Sequence, residues 1–238
     1  MNEKAFGRNY EIAKAEADEV DKQIIVTLSG GNSFRVEAGA GSGKTYSLNK
    51  TIEWIQSNKW NDYKRKKQTV ACITYTNAAV DVIAERLSPD SFIVPSTIHS
   101  FAWNAIKPFQ STLLQIIKED ESFQPDEGDF CEVTEVQYTL GHRYKENGTL
   151  FLYHEDVLKL FCVFLDNAKF RRILADKYPL ILIDEYQDSY KPIIDRFVSY
   201  FISERKPPQF GFFGDAWQTI YGVVPCKCSR KIPKNLLN

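Results

Sequence analysis

The sequence has no excess of positive charge, so the simplest signature of a nucleic-acid-binding protein is missing. Its 30 lysines and arginines are offset by 31 aspartates and glutamates, for a formal net charge of −1. A chain with this balance can contact nucleic acid through a local patch but not through its overall field. Hydrophobic residues make up 43% and charged residues 26% of the 238 residues, as is typical of globular proteins.

Cysteines are few, and apolar runs of membrane-spanning length are missing. The five cysteines are an odd number, and Cys72 and Cys162 lie within apolar runs, which indicates buried thiols and not a disulfide framework. Cys226 and Cys228 lack a second pair at metal-ligand spacing, which disfavours a zinc site. No stretch reaches about 20 apolar residues, and the polar N-terminus does not match a signal peptide. We therefore expect a cytoplasmic protein with no membrane partner.

Short apolar runs alternate with helical periodicity along much of the chain. Strands are expected in the segments FRVEA, TVACIT, FIVPSTIHSF (strand and turn), PLILIDE and QFGFFGD. Apolar residues three or four positions apart predict helices at Leu48, Ile52 and Ile55; at Val80, Ile83 and Leu87; and at Ile193, Phe197 and Phe201. This alternation predicts an α/β fold with a mostly parallel sheet and helices on both faces.

Residues 102–176 interrupt this alternation and are expected to form a helical insert. They include an acidic stretch, Glu119 to Glu135, with eight acids and no base, for which a solvated polar loop is the simplest explanation. The expected organisation is a main domain of residues 1–101 and 177–225, the insert of residues 102–176, and a short basic tail of residues 226–238.

The segment AGAGSGKT, residues 38–45, matches the phosphate-loop pattern G-x-x-x-x-G-K-[ST]. It follows a predicted strand and opens a predicted helix, which is the context that the pattern requires. Glycines allow backbone N–H groups to converge on an anion, and the helix N-terminus favours negative charge. We expect Lys44 to reach the β- and γ-phosphates and the Thr45 hydroxyl to bind Mg²⁺.

A second acidic element is expected to complete this site. The apolar run LILI ends in Asp184 and Glu185, a pair that on its own would also fit a surface turn. A phosphate-loop enzyme takes one carboxylate for Mg²⁺ from the end of a buried strand, and Asp184 has that position. Glu185 could accept a proton from attacking water as a general base.

Six segments in a fixed order resemble the N-terminal ATP-binding domain of UvrD/Rep-type superfamily 1 DNA helicases. The segments are DKQ, AGAGSGKT, ITYTNAAVDVIAERL, STIHSFAW, LILIDEYQD and FGDAWQTIYG, and they cover residues 23–222 except for the insert. The resemblance implies a RecA-like P-loop NTPase domain with a 1B-like insert at residues 102–176. It also implies ATP and Mg²⁺ as cofactors, single-stranded DNA as a partner, and 3′–5′ translocation for the full-length family.

The resemblance assigns roles in the nucleotide site. The nucleotide-binding residues would be Gln23 (adenine recognition), Ala38, Gly39, Ala40, Gly41, Ser42, Gly43, Lys44, Thr45, Tyr46 and Gln187. The catalytic residues would be Lys44, Asp184, Glu185 and Gln218, with Thr45 and Asp184 as the metal ligands. In this scheme Gln218 senses the γ-phosphate, and Gln187 couples the nucleotide state to the rest of the site.

The resemblance also assigns single-stranded DNA contacts, to Thr74, Tyr75, Thr76, Asn77, His99, Ser100, Phe101 and Tyr221. Aromatic rings can stack on any base, and hydroxyl and amide groups can position phosphates. Core packing remains an alternative for each aromatic residue, and an ordinary hydrogen-bonded histidine remains one for His99. The basic run KRKK, residues 64–67, is either a phosphate-facing patch or a solvated loop.

The sequence departs from the family after the last of these segments. Family members continue with a tryptophan and an arginine, whereas this chain has Val223 and then a short basic stretch. A second RecA-like domain with its arginines is missing from the sequence, so we expect weak ATP hydrolysis and no unwinding by the isolated chain. A truncated reading frame, an engineered fragment, and a protein whose partner supplies the second domain all remain open.

Two other functions also remain open. One is a P-loop ATPase of another class, whose turnover would not respond to single-stranded DNA. The other is a catalytically impaired interaction module that binds nucleotide or a partner without turnover.

Overall fold

The fold is built on a five-stranded parallel sheet. The computed structural model describes residues 17–37, 43–123 and 133–215. The strand order is β1-β8-β7-β2-β3, and every neighbouring pair is parallel. The strands are β1 (Phe34–Glu37), β2 (Val70–Thr74), β3 (Ile93–Thr97), β7 (Leu180–Ile183) and β8 (Gln209–Gly214).

Helices connect these strands and cover both faces of the sheet. They are α1 (described over residues 17–29), α2 (Lys44–Arg65), α3 (Asn77–Ala84), α4 (Ile98–Ile106), α5 (Gln110–Glu119), α6 (His154–Asp166), α7 (Ala168–Lys177) and α8 (Lys191–Phe197). A π-helical turn, Val198–Ile202, extends α8. Short 3₁₀ turns lie at Glu121–Phe123 and Tyr186–Asp188. No helix in these described parts of the chain is long and apolar enough to cross a membrane.

The two central strands show why the sheet forms. All residues of β2 and β7 are buried, because helices cover both sides of them. Alternate residues enter different cores: Ala71 and Ile73 pack with α4, α6 and α8, whereas Val70 and Cys72 pack with α1 and α2. The predicted α/β fold with a parallel sheet and helices on both faces is therefore confirmed.

The predicted helices are present, although α3 ends at Ala84, before the predicted helical residue Leu87. Leu48, Ile52 and Ile55 are buried in one core, and Ile193, Phe197 and Phe201 are buried in the other. The predicted turn after β3 is instead the start of α4. Its first turn is stabilised by Thr97, whose Oγ1 accepts a hydrogen bond from the Ser100 N–H at 3.3 Å. The strand therefore leads straight into a helix.

The segment 102–176 is not wholly helical, so the expectation of a helical insert is incomplete. It contains a second sheet of order β4-β6-β5, with β4 (Glu135–Tyr138), β5 (Tyr144–Glu146) and β6 (Thr149–Leu152). Asn147 and Gly148 join β5 to β6 with φ angles of 48° and 78°, the geometry that an Asn-Gly hairpin turn favours. The same segment supplies α6 and α7, and α6 packs against α4 and α8 of the main domain.

Of two sequence expectations about exposure, the first agrees with the structure and the second holds only in part. Cys72 and Cys162 are buried free thiols, and burial raises the pKa of Cys72 to about 12 and that of Cys162 to about 11. Within the acidic stretch, Glu119, Asp120 and Glu135 are exposed to solvent, while residues 124–132 lie outside the described ranges. Glu119 ends α5, Glu135 begins β4, and Phe123 and Val133 are buried in the core, so the described part of the stretch is not simply a solvated loop.

Gly211 in β8 allows the side chains of Phe34 and Leu182 to pack directly against the backbone of β8. A Cβ at position 211 would lie 2.5 Å from the Phe34 ring and 2.8 Å from Leu182, whereas a Cβ at Gly141 meets nothing closer than 3.8 Å. We therefore predict that Gly211→Ala lowers the free energy of unfolding by about 1–3 kcal/mol through overpacking. Urea denaturation would measure this, with Gly141→Ala as the control, and equal stabilities for the two variants would contradict it.

Candidate nucleotide site and strand-end surface

The candidate nucleotide site lies where three parallel strands end. The carboxyl ends of β1, β8 and β7 carry Glu37, Asp215 and Asp184, and β8 lies between the other two strands. Because carboxyl ends of parallel strands meet at one edge of a sheet, residues distant in sequence come together here. Helix α2 begins next to this edge at Lys44, within the phosphate-loop segment.

Gly43 provides the turn from which α2 starts. Its φ of 88° and ψ of 14° lie in the left-handed region, which glycine enters without steric cost. The peptide N–H groups of the first helical turn lack partners within the helix, and the helix dipole places partial positive charge there. Thr45 and Tyr46 are exposed in this first turn. A phosphate group fits this position.

Lys44 links the start of α2 to the end of β7. Its side chain is 8% exposed, and its Nζ lies 4.0 Å from Glu185 Oε2. A lysine is almost never buried this deeply without a negative partner, and Glu185 supplies such a partner here. The structure therefore brings the predicted phosphate-loop lysine and one of the two predicted acids into one pocket.

Asp184 is held at the end of β7 by backbone hydrogen bonds. Its N–H donates to the Ile73 carbonyl at 2.8 Å, and its Oδ1 accepts from the Glu185 N–H at 3.1 Å. Burial, and then the neighbouring Glu185 charge, raise the pKa of Asp184 to about 6, although the Glu185 N–H and Lys44 oppose the shift. A cation beside Asp184 would favour the ionised carboxylate.

Glu185 has a backbone conformation that a non-glycine residue rarely adopts. Its φ and ψ are both 47°, in the left-handed region. Such conformations cost about 1–3 kcal/mol and persist where the surroundings enforce them, often at functional sites. Here the turn directs the Glu185 carboxylate towards both Lys44 and Gln187.

Gln187 connects the turn after β7 to the end of β8. It is buried, its Nε2 donates to Glu185 Oε2 at 2.7 Å, and its Oε1 accepts from the Asp215 N–H at 3.1 Å. A Cβ at Gly214 would lie 2.2 Å from Gln187 Oε1, so only glycine leaves room for this bridge. The bridge joins two of the motifs that the sequence singles out.

Sequence analysis did not find a second bridge, between Tyr186 and Glu37. The Tyr186 hydroxyl donates to Glu37 Oε1 at 3.3 Å, and Arg35 Nη2 lies 2.9 Å from the same oxygen. Burial is the main cause that raises the pKa of Tyr186 to about 12, so the phenol remains a donor at neutral pH. Tyr186 lies within DEYQD and Glu37 lies directly before AGAGSGKT, and these positions are the signal that could have indicated the bridge.

Magnesium is the metal that this donor set fits. Asp184 offers a carboxylate and Thr45 a hydroxyl, and both are oxygen ligands of the kind Mg²⁺ takes together with phosphates and water.

Gln23 lies on α1, where its amide is 3.4 Å from Glu19 Oε1. Seven of the predicted site residues lie outside the described residues, namely Ala38, Gly39, Ala40, Gly41, Ser42, Gln218 and Tyr221.

The predicted DNA-contact residues lie at the ends of β2 and β3. Thr74 and Thr97 are paired in register, so the segments that follow these strands begin side by side. Tyr75 is 63% exposed, and Thr76 and Asn77 are exposed beside it. Thr76 begins α3 in the way that Thr97 begins α4, with its Oγ1 accepting from the Ala79 N–H at 3.2 Å. We call residues 74–77 and 97–100 the strand-end surface.

Two predicted DNA contacts are corrected or limited by burial. Phe101 is only 2% exposed and packs edge-on against Phe161 in the core, so the expectation that its ring stacks on a base is wrong. Thr74 is also buried, and its hydroxyl donates to the Thr76 carbonyl at 3.1 Å.

The basic run of residues 64–67 precedes β2 and therefore lies towards the amino edge of the sheet, away from the strand-end surface.

His99 is half-buried and contacts the insert. Its ring lies 4.1 Å from that of His154, centroid to centroid, and the Tyr138 hydroxyl is hydrogen-bonded to His154 Nδ1. Burial, and then the neighbouring His154, lower the pKa of His99 to about 4. Sequence analysis identified His99 but not His154 or Tyr138, because nothing in the spacing of these residues shows that they meet.

The lowered pKa of His99 predicts a pH-dependent stability. Between pH 6.5 and about 4 the unfolded chain binds a proton at His99 that the folded chain does not, so stability falls as the pH falls. His154 and Tyr138 are the titratable groups beside His99, and both remain in a His99→Asn variant. We predict that this variant loses less unfolding free energy than the wild type over this range in urea titrations. Parallel pH profiles would contradict the prediction.

Comparisons with known proteins agree with this geometry. A family model described as the AAA domain matches residues 21–224. The Gabija protein GajB of Bacillus cereus strain HuB5-5 is 28% identical over 206 residues, which cover 76% of this chain and 30% of that protein. The Gabija protein GajB of strain VD045 is 28% identical over 208 residues, which cover 82% of this chain and 39% of that protein.

These relatives are considerably longer than the region they share with the chain, which spans about a third of their length. The family match, by contrast, covers most of the chain, from α1 to beyond β8. It includes the phosphate-loop lysine Lys44 and Glu185 after β7, whose side chains lie 4.0 Å apart. The chain therefore belongs to the AAA domain family of helicase-like P-loop NTPases.

Proposed function

We propose that the chain is the ATP-binding domain of a UvrD-like superfamily 1 DNA helicase. In this proposal it binds ATP with Mg²⁺ at the carboxyl edge of the sheet and single-stranded DNA on the strand-end surface. The observation that carries the proposal is the contact between buried Lys44 and Glu185, since it unites a phosphate-loop lysine with a carboxylate placed to act on water. The order of the six sequence segments supports the more specific assignment to a helicase.

Each residue of the pocket has a chemical role in this proposal. The Lys44 ammonium moves from Glu185 to the β- and γ-phosphates when nucleotide binds, since a phosphate offers more negative charge than one carboxylate. Thr45 and Asp184 would hold Mg²⁺, which would supply positive charge to neutralise the phosphates. Glu185, released from Lys44, accepts a proton from the water that attacks the γ-phosphate.

Gln187 keeps Glu185 in place during this exchange. Its amide donates to Glu185 while its carbonyl oxygen is held by the Asp215 N–H, so the glutamine is fixed at both ends. The chain continues from Asp215 towards Gln218, the predicted γ-phosphate sensor. Gln187 is thus a positioning residue between the proposed base and the segment proposed to respond to the nucleotide state.

Single-stranded DNA is the proposed ligand of the strand-end surface. Tyr75 exposes an aromatic ring on which a base can stack without sequence selection. Thr76, Asn77 and Ser100 supply hydroxyl and amide groups that can contact phosphates. Asp184 donates its N–H to Ile73, one residue before Thr74, so the proposed metal ligand and the DNA surface lie on hydrogen-bonded neighbouring strands.

Translocation and unwinding would belong to a larger assembly. Phosphoryl transfer in P-loop enzymes is accelerated by an arginine that stabilises charge in the transition state. Translocation needs two domains that open and close around the nucleotide. The GajB relatives extend well beyond the region shared with this chain. We propose that a second RecA-like domain, in the same polypeptide or in a partner protein, supplies the arginine and the other side of the nucleotide cleft.

Two substitutions test the nucleotide site. Lys44→Ala removes a charge-assisted contact of about 1.5–3 kcal/mol, so it should weaken ATP binding roughly 10- to 150-fold. Glu185→Gln keeps the shape of the side chain but cannot accept the proton, so it should bind ATP within about threefold of wild type and lose about 10²- to 10⁴-fold in any measurable turnover. Isothermal titration with ATP and Mg²⁺ and a phosphate-release assay measure these effects.

Lys59→Ala is the matched control, because this lysine lies on the same helix with its Nζ over the Trp54 ring, far from the pocket. It should bind ATP as the wild type does. Normal ATP binding by Lys44→Ala would overturn the assignment of the pocket. Turnover measured with and without oligothymidylate then separates a DNA-dependent ATPase from an ATPase of another class, since only the first responds to DNA.

A further inference from the structure

The side chain of Tyr186 crosses the sheet from the turn after β7 to the end of β1. Strand β8 lies between these two strands, so the tyrosine spans two strand spacings of about 4.8 Å each. Its ring packs edge-on against Phe212 in β8, with 5.8 Å between the ring centroids, and its hydroxyl donates to Glu37 Oε1 at 3.3 Å. The function proposed above gives this crossing no role.

Glu37 is a fixed end point for the crossing. Arg35 and Glu37 lie two residues apart on β1, so their side chains share one face of the strand, while Phe34 and Val36 are buried on the other. Arg35 Nη2 lies 2.9 Å from the same Glu37 oxygen that accepts from Tyr186. An oxygen that contacts both a guanidinium and a phenol is held in one place. Glu37 is thus anchored directly before the phosphate-loop segment.

Gly214, at the end of β8, leaves the space through which the Tyr186 ring passes. A Cβ at position 214 would lie 2.5 Å from Tyr186 Cδ1, which is closer than real Cβ atoms come to such a neighbour. Burial is the main cause that raises the pKa of Tyr186 to about 12, so its hydroxyl stays protonated at neutral pH. The end of β8 therefore admits the ring, and the hydroxyl can donate to Glu37.

Tyr186 directly follows Glu185, the proposed general base. The φ and ψ of Glu185 are both 47°, a conformation that a non-glycine residue holds only where its surroundings enforce it. The two side chains that follow are each attached to a different strand, Tyr186 to the end of β1 and Gln187 to the end of β8. Two attachments in different directions restrict rotations of the turn that either one alone would allow.

We propose that Tyr186 is a positioning residue for ATP hydrolysis, which fixes the turn that carries Glu185 relative to the strand that leads into the phosphate loop. This inference rests on the proposed function, because it requires that Glu185 acts on water beside a nucleotide. Tyr186 acts through the backbone of Glu185 and contacts no reacting atom. Loss of its hydroxyl therefore misplaces the base and slows the chemical step, but leaves Lys44 free to bind the phosphates.

ATP titration and single-turnover hydrolysis with the full chain test this role. Tyr186→Phe keeps the ring and removes one hydrogen bond, so it should slow hydrolysis about 3- to 10-fold and leave the Kd for ATP with Mg²⁺ within about twofold of the wild type. Glu37→Leu should have the same effect. The double variant should be no slower than either single variant, because all three lack the same bond. Glu37→Gln keeps an acceptor oxygen and should hydrolyse ATP within about twofold of the wild type.

Hydrogen exchange gives a second measurement that needs no hydrolysis. The Asp188 N–H donates to the Glu185 carbonyl at 2.9 Å, and the Ser189 N–H donates to the Tyr186 carbonyl at 3.1 Å. Both amides therefore report on the turn that Tyr186 is proposed to hold. They should exchange at least about threefold faster in Tyr186→Phe and in Glu37→Leu than in the wild type.

Tyr200→Phe is the matched control, because the Tyr200 hydroxyl also donates to a carboxylate, Asp166 Oδ1 at 2.8 Å, but lies in the turn that extends α8. It should change neither the hydrolysis rate nor the exchange of the two amides after β7. Thermal melting should show that all variants are folded.

The outcomes separate this role from the proposed function. Hydrolysis and exchange in Tyr186→Phe equal to those of the wild type would overturn the positioning role and leave the nucleotide site standing. A loss of ATP affinity as large as the loss of hydrolysis would also overturn it, because the substitution would then disrupt the whole site. If the wild type binds ATP without measurable hydrolysis, the exchange of the two amides decides. If the wild type binds no ATP, both proposals are wrong.

Discussion

The contact between Lys44 and Glu185 is the constraint on which the proposed site depends. It joins the first residue of α2 to the turn after β7, two points that lie 141 residues apart in sequence. The ammonium is buried, so it needs a negative partner, and the partner that the fold provides is one of the two acids expected to serve a nucleotide. In the proposed function, a phosphate group at the start of α2 competes with Glu185 for the Lys44 ammonium.

Hydrogen bonds across the carboxyl end of strand β8 connect this pocket to the neighbouring motifs. It lies between β1 and β7, and two side chains from the turn after β7 cross its carboxyl end. Gln187 reaches the Asp215 N–H, and Tyr186 reaches Glu37 over Gly214. Because a Cβ at position 214 would collide with both side chains, the small residue at the end of β8 is a requirement of the site and not only of the sheet.

The proposed nucleotide site and the proposed DNA surface share one edge of the sheet. The hydrogen bond from Asp184 to Ile73 connects the end of β7 to β2. Ile73 is followed by Thr74, the last residue of β2, and then by Tyr75. A displacement of Asp184 on nucleotide binding would therefore act directly on the backbone that presents Tyr75. This arrangement offers a short physical route by which ATP and single-stranded DNA could influence each other's binding.

Patterns of burial explain which features could be predicted from sequence. Strands β2 and β7 are buried on both faces, so each is a continuous apolar run, and the phosphate loop and the acids after β7 are recognisable by spacing. The strands β4, β5 and β6 are only three or four residues long and half-exposed, so they leave no such run, although Asn147-Gly148 was a readable hairpin signal. Burial of Phe101, the Tyr186–Glu37 bridge and the His99–His154 contact depend on tertiary packing, which spacing does not encode.

The most direct test is a crystal structure of the chain with Mg²⁺ and a non-hydrolysable ATP analogue. The account predicts that the γ-phosphate replaces Glu185 beside Lys44 Nζ. It also predicts that the cation lies about 2 Å from Thr45 Oγ1 and contacts Asp184 directly or through water. A nucleotide bound elsewhere, with the contact between Lys44 and Glu185 intact, would contradict it.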